Sequence, residues 1–157
     1  MNSKVRVLIL CTGNSARSQM AEALLRHDAG EWFEVESAGT KPTVVRSEAI
    51  TAMRDIGIDI SRHRSKHVDE FRARRFDYVI TVCDNARETC PVVFNATERL
   101  HHDFDDPAAC QGSEADRMAV FRRVRDELRQ YLRDFARREK EKGGPGSDRP
   151  WKSAKQT

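Results

Sequence analysis

Short apolar segments and longer amphipathic segments alternate along the first two thirds of the chain. Three of the short segments are rich in apolar and β-branched residues and predict strands at 4–10, 33–37 and 77–82. A fourth, shorter strand is predicted near 98–102. The segment 77–82 has almost no polar interruption, which is typical of a strand buried on both faces of a sheet.

Helical patterns separate these strands. Residues 18–27 and 47–56 predict helices, and Gly57 is a typical residue for ending the second one. The last helix is predicted to open at Ser113, with Asp116 three residues later as a capping pair. Its apolar positions recur at helical spacing: Met118, Phe121, Val124, Leu128, Tyr131, Leu132 and Phe135.

This order of elements predicts an α/β fold with one domain, in which a four-stranded parallel sheet has helices on both faces. The chain has 157 residues, a typical length for one domain. We assign residues 1–138 to the domain. Residues 139–157 are rich in Lys, Gly, Pro and Ser, and we predict a disordered tail there.

Charge and cysteine content narrow the function. Charged residues make up 34% of the chain, but the net charge is only +3 and no long block carries a single sign, so we expect no nucleic-acid partner. The apolar run after Lys4 is too short for a signal peptide or a membrane span. We therefore expect a cytoplasmic monomer that does not contact a membrane. Its four cysteines are then better suited to catalysis, redox chemistry or metal binding than to structural disulfides.

The most informative segment follows the first strand. Cys11 ends that strand, and a run of small and polar residues leads through Arg17 into the next helix. Backbone N–H groups and the helix N-terminus can together hold a tetrahedral oxyanion there, and the same field would make Cys11 an acidic nucleophile. A buried strand-end cysteine with a solvated arginine is the alternative, and the strand–turn–helix context disfavours it. The predicted substrate-binding residues are Thr12, Gly13, Asn14, Ser15, Ala16, Arg17 and Ser18.

A candidate acid follows the fourth strand. Asp106 precedes Pro107, which favours an extended conformation at Asp106. A carboxylic acid near the nucleophile could protonate a leaving oxygen. Asp105 is the second candidate and Asp103 the third, while an ordinary Asp-Pro turn remains the alternative.

Two further cysteines follow the third strand. Cys83 comes directly after it, and Cys90 is seven residues further on. Adjacent parallel strands end at the same edge of a sheet, so Cys83 can approach the Cys11 loop. Both cysteines could instead be small buried hydrophobes, unrelated to each other. They could also be half of a metal site, but no second Cys/His pair matches their spacing, and we predict no metal.

Redox pairing of Cys83 and Cys90 has a geometric consequence. Seven helical residues would separate them by roughly 10 Å, whereas a disulfide needs Cα atoms closer than about 7 Å. The segment 84–89, predicted to be a short helix, would therefore have to unwind to form the bond.

Taken together, these features resemble the thioredoxin-coupled bacterial arsenate reductases, which share the low-molecular-weight tyrosine phosphatase fold, a three-layer Rossmann-like sandwich. The resemblance covers about residues 4–137. It rests on five segments: 11–18 (CTGNSARS), 36–40 (ESAGT), 57–61 (GIDIS), Val82-Cys83 with Cys90-Pro91, and 104–108 (FDDPA).

The resemblance implies a three-cysteine relay that detoxifies arsenic. Cys11 attacks arsenate, Arg17 and the loop amides hold it, and Asp106 protonates the departing hydroxide. Cys83 then attacks Cys11, which releases arsenite and leaves a Cys11–Cys83 disulfide. Cys90 takes over Cys83, and thioredoxin reduces the resulting bond. Phosphate and sulfate would bind as mimics of arsenate.

One segment departs from the family. Some members bind a monovalent cation through residues that correspond to Asn14, Glu22 and Ser37, with oxygens from a segment that is strongly basic here. We expect Lys66, or else Arg64, to replace the cation, so that the protein needs no bound cofactor.

Two other functions compete with this one. A low-molecular-weight phosphatase would use the same Cys11, Arg17 and Asp106. Such phosphatases usually carry tyrosines after the Asp-Pro pair, where this chain has Ala108 and Ala109. An anion-binding or redox-sensing adaptor without turnover is the third interpretation. Cys110 matches no role in any of them.

Overall fold

A computed structural model describes residues 4–83 and 95–142. This part of the chain contains a four-stranded sheet in which every neighbouring pair is parallel. The strands are β1 (Val5–Cys11), β2 (Phe33–Gly39), β3 (Arg75–Thr81) and β4 (Asn95–His101), in the spatial order β2-β1-β3-β4.

The two central strands are buried at nearly every position, not at alternate ones. Only Arg6 of β1 and Arg75 of β3 are not buried. Such strands occur where both faces of a sheet are covered. The predicted fold class is therefore confirmed, and each strand lies within three residues of its predicted bounds.

Three helices accompany the sheet in the described residues: α1 (Arg17–Ala29), α2 (Ser47–Arg54) and α3 (Glu114–Lys142). α1 and α2 both pack against α3. After α2, Gly57 has φ 82°, a left-handed conformation that favours glycine. None of the helices in residues 4–83 and 95–142 combines the length and apolar character needed to cross a membrane.

The predicted capping pair opens α3. Ser113 Oγ accepts from Asp116 N at 3.1 Å, and Asp116 Oδ2 accepts from Ser113 N at 3.1 Å. The predicted apolar stripe packs inward, and its last aromatic residue, Phe135, contacts the rings of Phe33 and Tyr78 with centroids 5.4 and 5.0 Å away. This stripe attaches α3 to the sheet.

α3 continues to Lys142, so the domain boundary predicted at 138 falls inside the helix. Glu139 is only 2% exposed and accepts a hydrogen bond from the hydroxyl of Tyr78. Lys and Glu are good helix formers, which explains why a shift toward charged composition does not end the helix here. The rest of the predicted tail, 143–157, lies outside the described residues.

A half-buried carboxylate ties the end of α1 to α3. Asp28 accepts hydrogen bonds from Arg129 at 2.7 and 2.9 Å and from Arg133 at 3.0 Å. Burial alone would raise the pKa of Asp28, but these hydrogen bonds and one with His27 outweigh it and hold the pKa well below the usual range. The ionised side chain therefore stabilises the fold.

Replacing Asp28 with Asn should destabilise the protein by about 1–3 kcal/mol at pH 7, because two guanidinium groups lose their anionic partner. A pKa held below the unfolded value of about 3.9 stabilises the fold above that pH, and this contribution is lost on acidification. Urea unfolding should thus show that the difference in free energy of unfolding between Asp28→Asn and the unaltered protein shrinks from pH 7 to pH 3. The exposed Glu141→Gln on α3 is the control, expected to change stability by less than about 0.5 kcal/mol. A deficit for Asp28→Asn that is constant with pH would contradict this account.

Candidate active site

The carboxyl ends of β1 and β3 bring two cysteines together. Cys11 is the last residue of β1, and Cys83 lies two residues beyond β3. Their sulfur atoms are 3.5 Å apart, with Cys11 donating, and both residues are 4% exposed. Thr12 Oγ1 lies 3.4 Å from Cys83 Sγ. The approach of Cys83 to the Cys11 loop, predicted from strand order, is confirmed.

The loop after Cys11 is held through its carbonyl groups. The oxygens of Thr12, Gly13 and Ser15 accept hydrogen bonds from backbone N–H groups of the segment 41–46 at 2.9, 3.0 and 2.9 Å. In a planar trans peptide the N–H points opposite to the C=O. The next N–H in each case therefore points away from that segment, which is the orientation an oxyanion-binding loop requires.

Asn14 is the centre of the loop's hydrogen bonds. It is fully buried, with φ 47°. Its Nδ2 donates to Ser18 Oγ at 2.8 Å and to Ser37 Oγ at 3.0 Å, and its Oδ1 accepts from Gln19 Nε2 at 2.9 Å and Lys66 N at 2.8 Å. The sequence predicts that Asn14 and Ser18 bind substrate; in the structure their side chains hold the loop instead.

Gln19 is a supporting residue that the sequence analysis missed. It is fully buried, and besides Asn14 its Nε2 donates to Arg64 O at 2.9 Å. Its Oε1 accepts from His63 Nδ1 at 3.0 Å. Burial lowers the pKa of His63, which keeps this ring neutral near pH 7. Local spacing does not indicate this role, because two of its three partners, His63 and Arg64, are more than 40 positions away.

Gly39, at the end of β2, allows the sheet to approach the loop closely. A Cβ at this position would lie 2.4 Å from Thr12 O and 2.9 Å from Asn14 N, too close for any side chain. The run of small residues in segment 36–40 could have indicated this close approach, but the sequence analysis used that segment for the family resemblance alone.

Arg17 and Asp106 face each other in the wall of one cavity. Arg17 Nη1 donates to Phe104 O at 2.9 Å, and its Nη2 is 3.8 Å from Asp106 Oδ2. Asp106 Oδ1 accepts from Ala108 N at 3.0 Å, as the cap of a short 3₁₀ turn. The guanidinium is thus fixed, while the partly exposed carboxyl of Asp106 faces it.

The other two candidate acids are also close. Asp103, Asp105 and Asp106 all line a cavity of about 470 Å³, together with Arg17 and Cys83. Asp105 Oδ2, however, accepts from Arg123 on α3 at 3.0 Å, which turns that carboxylate toward the helix. Asp106 is therefore the acid best placed beside Arg17.

The proximity of two thiols affects the acidity of Cys11. The hydrogen bond to Cys83 and burial raise the pKa of Cys11, and Arg17 only partly opposes them. The acidic Cys11 expected from sequence is thus a wrong prediction for this arrangement. Two thiols that share a hydrogen bond resist losing both protons, since the second thiolate would form beside the first.

The remaining cysteines and possible metal ligands add little. Cys90 and the predicted helix 84–89 lie outside the described residues. Cys110 is half-buried and reduced. In the described ranges, no three His, Cys, Asp or Glu side chains form a group that could hold a metal ion.

Residues 6–143 match the family of low molecular weight phosphotyrosine protein phosphatases. The chain belongs to this family. Two curated family relatives are arsenate reductases: one from Halalkalibacterium halodurans, 44% identical over 136 residues, and one from Bacillus subtilis, 41% identical over 136 residues. Each alignment covers 87% of this chain and 97% of the relative.

A solved structure agrees with these relatives. It is described as an arsenate reductase in the phosphate-binding state, and it is 28% identical with a TM-score of 0.73. The match covers 83% of this chain and 95% of the solved chain. The resemblance inferred from the sequence is confirmed.

Replacing Cys83 with Ser should lower the pKa of Cys11, because a hydroxyl does not ionise beside it. The measurement is the rate of iodoacetamide alkylation of Cys11 against pH, followed by peptide mass spectrometry. Cys110→Ser serves as the control and should leave the profile of Cys11 unchanged. An unchanged or raised midpoint in Cys83→Ser would contradict the effect assigned to the second thiol.

Proposed function

We propose that this protein reduces arsenate to arsenite, with Cys11 as nucleophile and Cys83 as the second thiol. The observation that carries the proposal is the 3.5 Å separation of the two sulfur atoms. A phosphatase needs one cysteine, whereas reduction of As(V) needs two electrons, which a thiol pair supplies on forming a disulfide. The arsenate reductase relatives support the same conclusion.

The first step is attack on the bound oxyanion. Arsenate has the shape and charge of phosphate, and the loop N–H groups and the Arg17 guanidinium suit such an anion. Cys11 Sγ, as thiolate, bonds to arsenic while one As–OH bond breaks, and the departing hydroxide takes a proton from Asp106 and leaves as water. The result is a Cys11–arsenate adduct in which arsenic is still As(V).

The second step transfers the electrons. Cys83 Sγ, as thiolate, attacks Cys11 Sγ, and the S–As bond breaks with its electron pair moving to arsenic. Arsenite leaves as As(III), and a Cys11–Cys83 disulfide remains. A movement of about 1.5 Å suffices to bring the sulfur atoms from 3.5 Å to bonding distance.

The enzyme must then be returned to its dithiol form. We propose that Cys90 attacks Cys83, and that thioredoxin reduces the resulting Cys83–Cys90 disulfide. This step follows from the family resemblance and from the position of Cys90 in the sequence. We also propose that the protein is a cytoplasmic monomer.

The phosphatase alternative uses the same loop, so weak hydrolysis of phosphate esters is expected as a side activity. Ala108 and Ala109 form the short turn after Asp106, where related phosphatases place tyrosines. The second thiol has no role in hydrolysis.

Lys66 replaces a monovalent cation in this proposal. Its Nζ lies 3.3 Å from Glu22 Oε1 and 3.8 Å from Glu36 Oε1, and its side chain is 11% exposed. Ser37 Oγ donates to the same Glu22 oxygen at 2.5 Å. Arg26 Nη2 pairs with the other Glu22 oxygen at 2.8 Å. An added cation does not fit where an ammonium and a guanidinium already neutralise the carboxylate. Arg64, the second candidate, pairs instead with Glu70 at the surface.

The test of the relay is NADPH oxidation that depends on arsenate, thioredoxin and thioredoxin reductase. The unaltered protein should turn over, Cys83→Ser should lose reduction while keeping hydrolysis of an aryl phosphate, and Cys90→Ser should stop after one turnover. Cys110→Ser is the matched control and should behave like the unaltered protein. Brisk ester hydrolysis with no arsenate reduction in the unaltered protein would establish the phosphatase instead.

The test of the Lys66 assignment is potassium dependence in the same assay. The unaltered protein should be insensitive, because Glu22 is already neutralised. Lys66→Ala should lose activity and regain part of it with potassium, while the surface variant Arg64→Ala should remain insensitive. A several-fold activation of the unaltered protein by potassium would refute the assignment.

A further inference from the structure

A second cavity adjoins the catalytic one along α3. Its volume is about 500 Å³, and it shares Asp103, Phe104 and Asp105 with the catalytic cavity. Three rings form a contiguous cluster on its wall: His102, Phe104 and Tyr131, with centroids 4.4 to 5.7 Å apart. We call this cavity the acidic groove.

The acidic groove has an excess of negative charge. Four carboxylates line it, from Asp103, Asp105, Glu127 and Asp134, whereas Arg123 is the one guanidinium among its lining residues. Arg123 is itself bonded to Asp105 and Glu127, at 3.0 Å each. Arg137 also pairs with Asp134, at 3.5 Å, so carboxylates outnumber the guanidinium groups that contact them in the acidic groove. Aromatic rings beside an excess of carboxylates suit a ligand that carries an aromatic group flanked by cations.

The chain itself contains such a group. After α3, the sequence runs Ser-Asp-Arg-Pro-Trp-Lys-Ser-Ala-Lys from 147 to 155, which places Arg149 and Lys152 on either side of Trp151. This segment lies beyond the residues matched by the family. We propose that the segment 149–152 binds in the acidic groove of its own chain, with Trp151 against the aromatic cluster.

The connecting residues are long enough. α3 ends at Lys142, eleven residues after Tyr131, which is about 17 Å of helix. Trp151 is nine residues after Lys142, and nine extended residues span up to about 30 Å. The Gly-Gly-Pro-Gly run at 143–146 favours a chain reversal. A linker this short gives an effective concentration on the order of millimolar, so a weak intrinsic affinity suffices.

Charge disfavours the cavity that lies nearer to the end of α3. That cavity, of about 260 Å³ between α1 and α3, is rimmed by Arg133, Arg137 and Lys140. Its carboxylate, Asp28, is already bonded to two guanidinium groups. A cationic segment is therefore repelled there and attracted to the acidic groove, where it lies beside the approach to Arg17.

The experiment uses the full chain with Trp32→Phe, which leaves Trp151 as the single tryptophan. Acrylamide quenching of its fluorescence reports exposure. We expect Glu127→Lys with Asp134→Lys to raise the quenching constant roughly twofold, because the groove loses the charge that attracts the segment. In the Trp32→Phe protein itself, 1 M NaCl should also raise the quenching constant. Salt at this concentration shortens the Debye length to about 3 Å and so screens the attraction between the segment and the groove.

The matched control makes the same charge change at exposed residues of α3 outside the groove, with Glu114→Lys and Glu141→Lys, and should leave the quenching constant unchanged. The proposal is overturned if both double variants act alike, or if Trp151 is quenched as readily as free tryptophan amide at low salt. Shielding that grows with protein concentration would assign the segment to a neighbouring copy and overturn binding within one chain. The salt titration needs no groove substitution, so a variant that fails to fold does not weaken the test.

Discussion

The oxyanion loop keeps its shape because its backbone is hydrogen-bonded to distant segments of the chain. Asn14 adopts a left-handed conformation that costs an L-residue about 1–2 kcal/mol. Four hydrogen bonds to its buried side chain, each contributing about 1 kcal/mol, offset that cost. Gly39 lets β2 approach the loop closely enough for this network to form. The geometry of the loop is therefore independent of the side chains that perform the chemistry.

The two thiols represent a compromise between the two steps of the proposed reaction. Attack on the oxyanion requires a thiolate at Cys11, and a second thiol 3.5 Å away raises the pKa of Cys11 and so opposes that step. A phosphatase would be better served by an apolar residue at position 83. The same proximity becomes an advantage once electrons must leave Cys11 as a disulfide. The proposed relay accounts for this cost, because it needs a second thiol within reach of Cys11.

Local sequence patterns predicted the features that depend on local spacing. The strand order placed Cys83 beside Cys11, and Ser113 with Asp116 marked the start of α3. The supporting residues were harder to find, because Gln19 and Gly39 act through partners far away in sequence and leave no periodic pattern. The acidity of Cys11 was predicted wrongly because helix and backbone effects were weighed without the neighbouring thiol. The end of α3 was missed because Glu139 has a charged side chain that is nonetheless buried.

Lys66 shows how charge and loop shape are coupled at this site. Its backbone N–H holds Asn14, while its ammonium faces the buried carboxylate of Glu22. Glu22 is only 3% exposed, so its charge needs partners: Arg26 pairs with one oxygen at 2.8 Å and Lys66 with the other at 3.3 Å. The backbone N–H would be present with any residue except proline at position 66, so only the charge depends on the lysine side chain. A lysine at this position provides both contacts from one residue, and it keeps the positive charge in place without an ion that must first be bound.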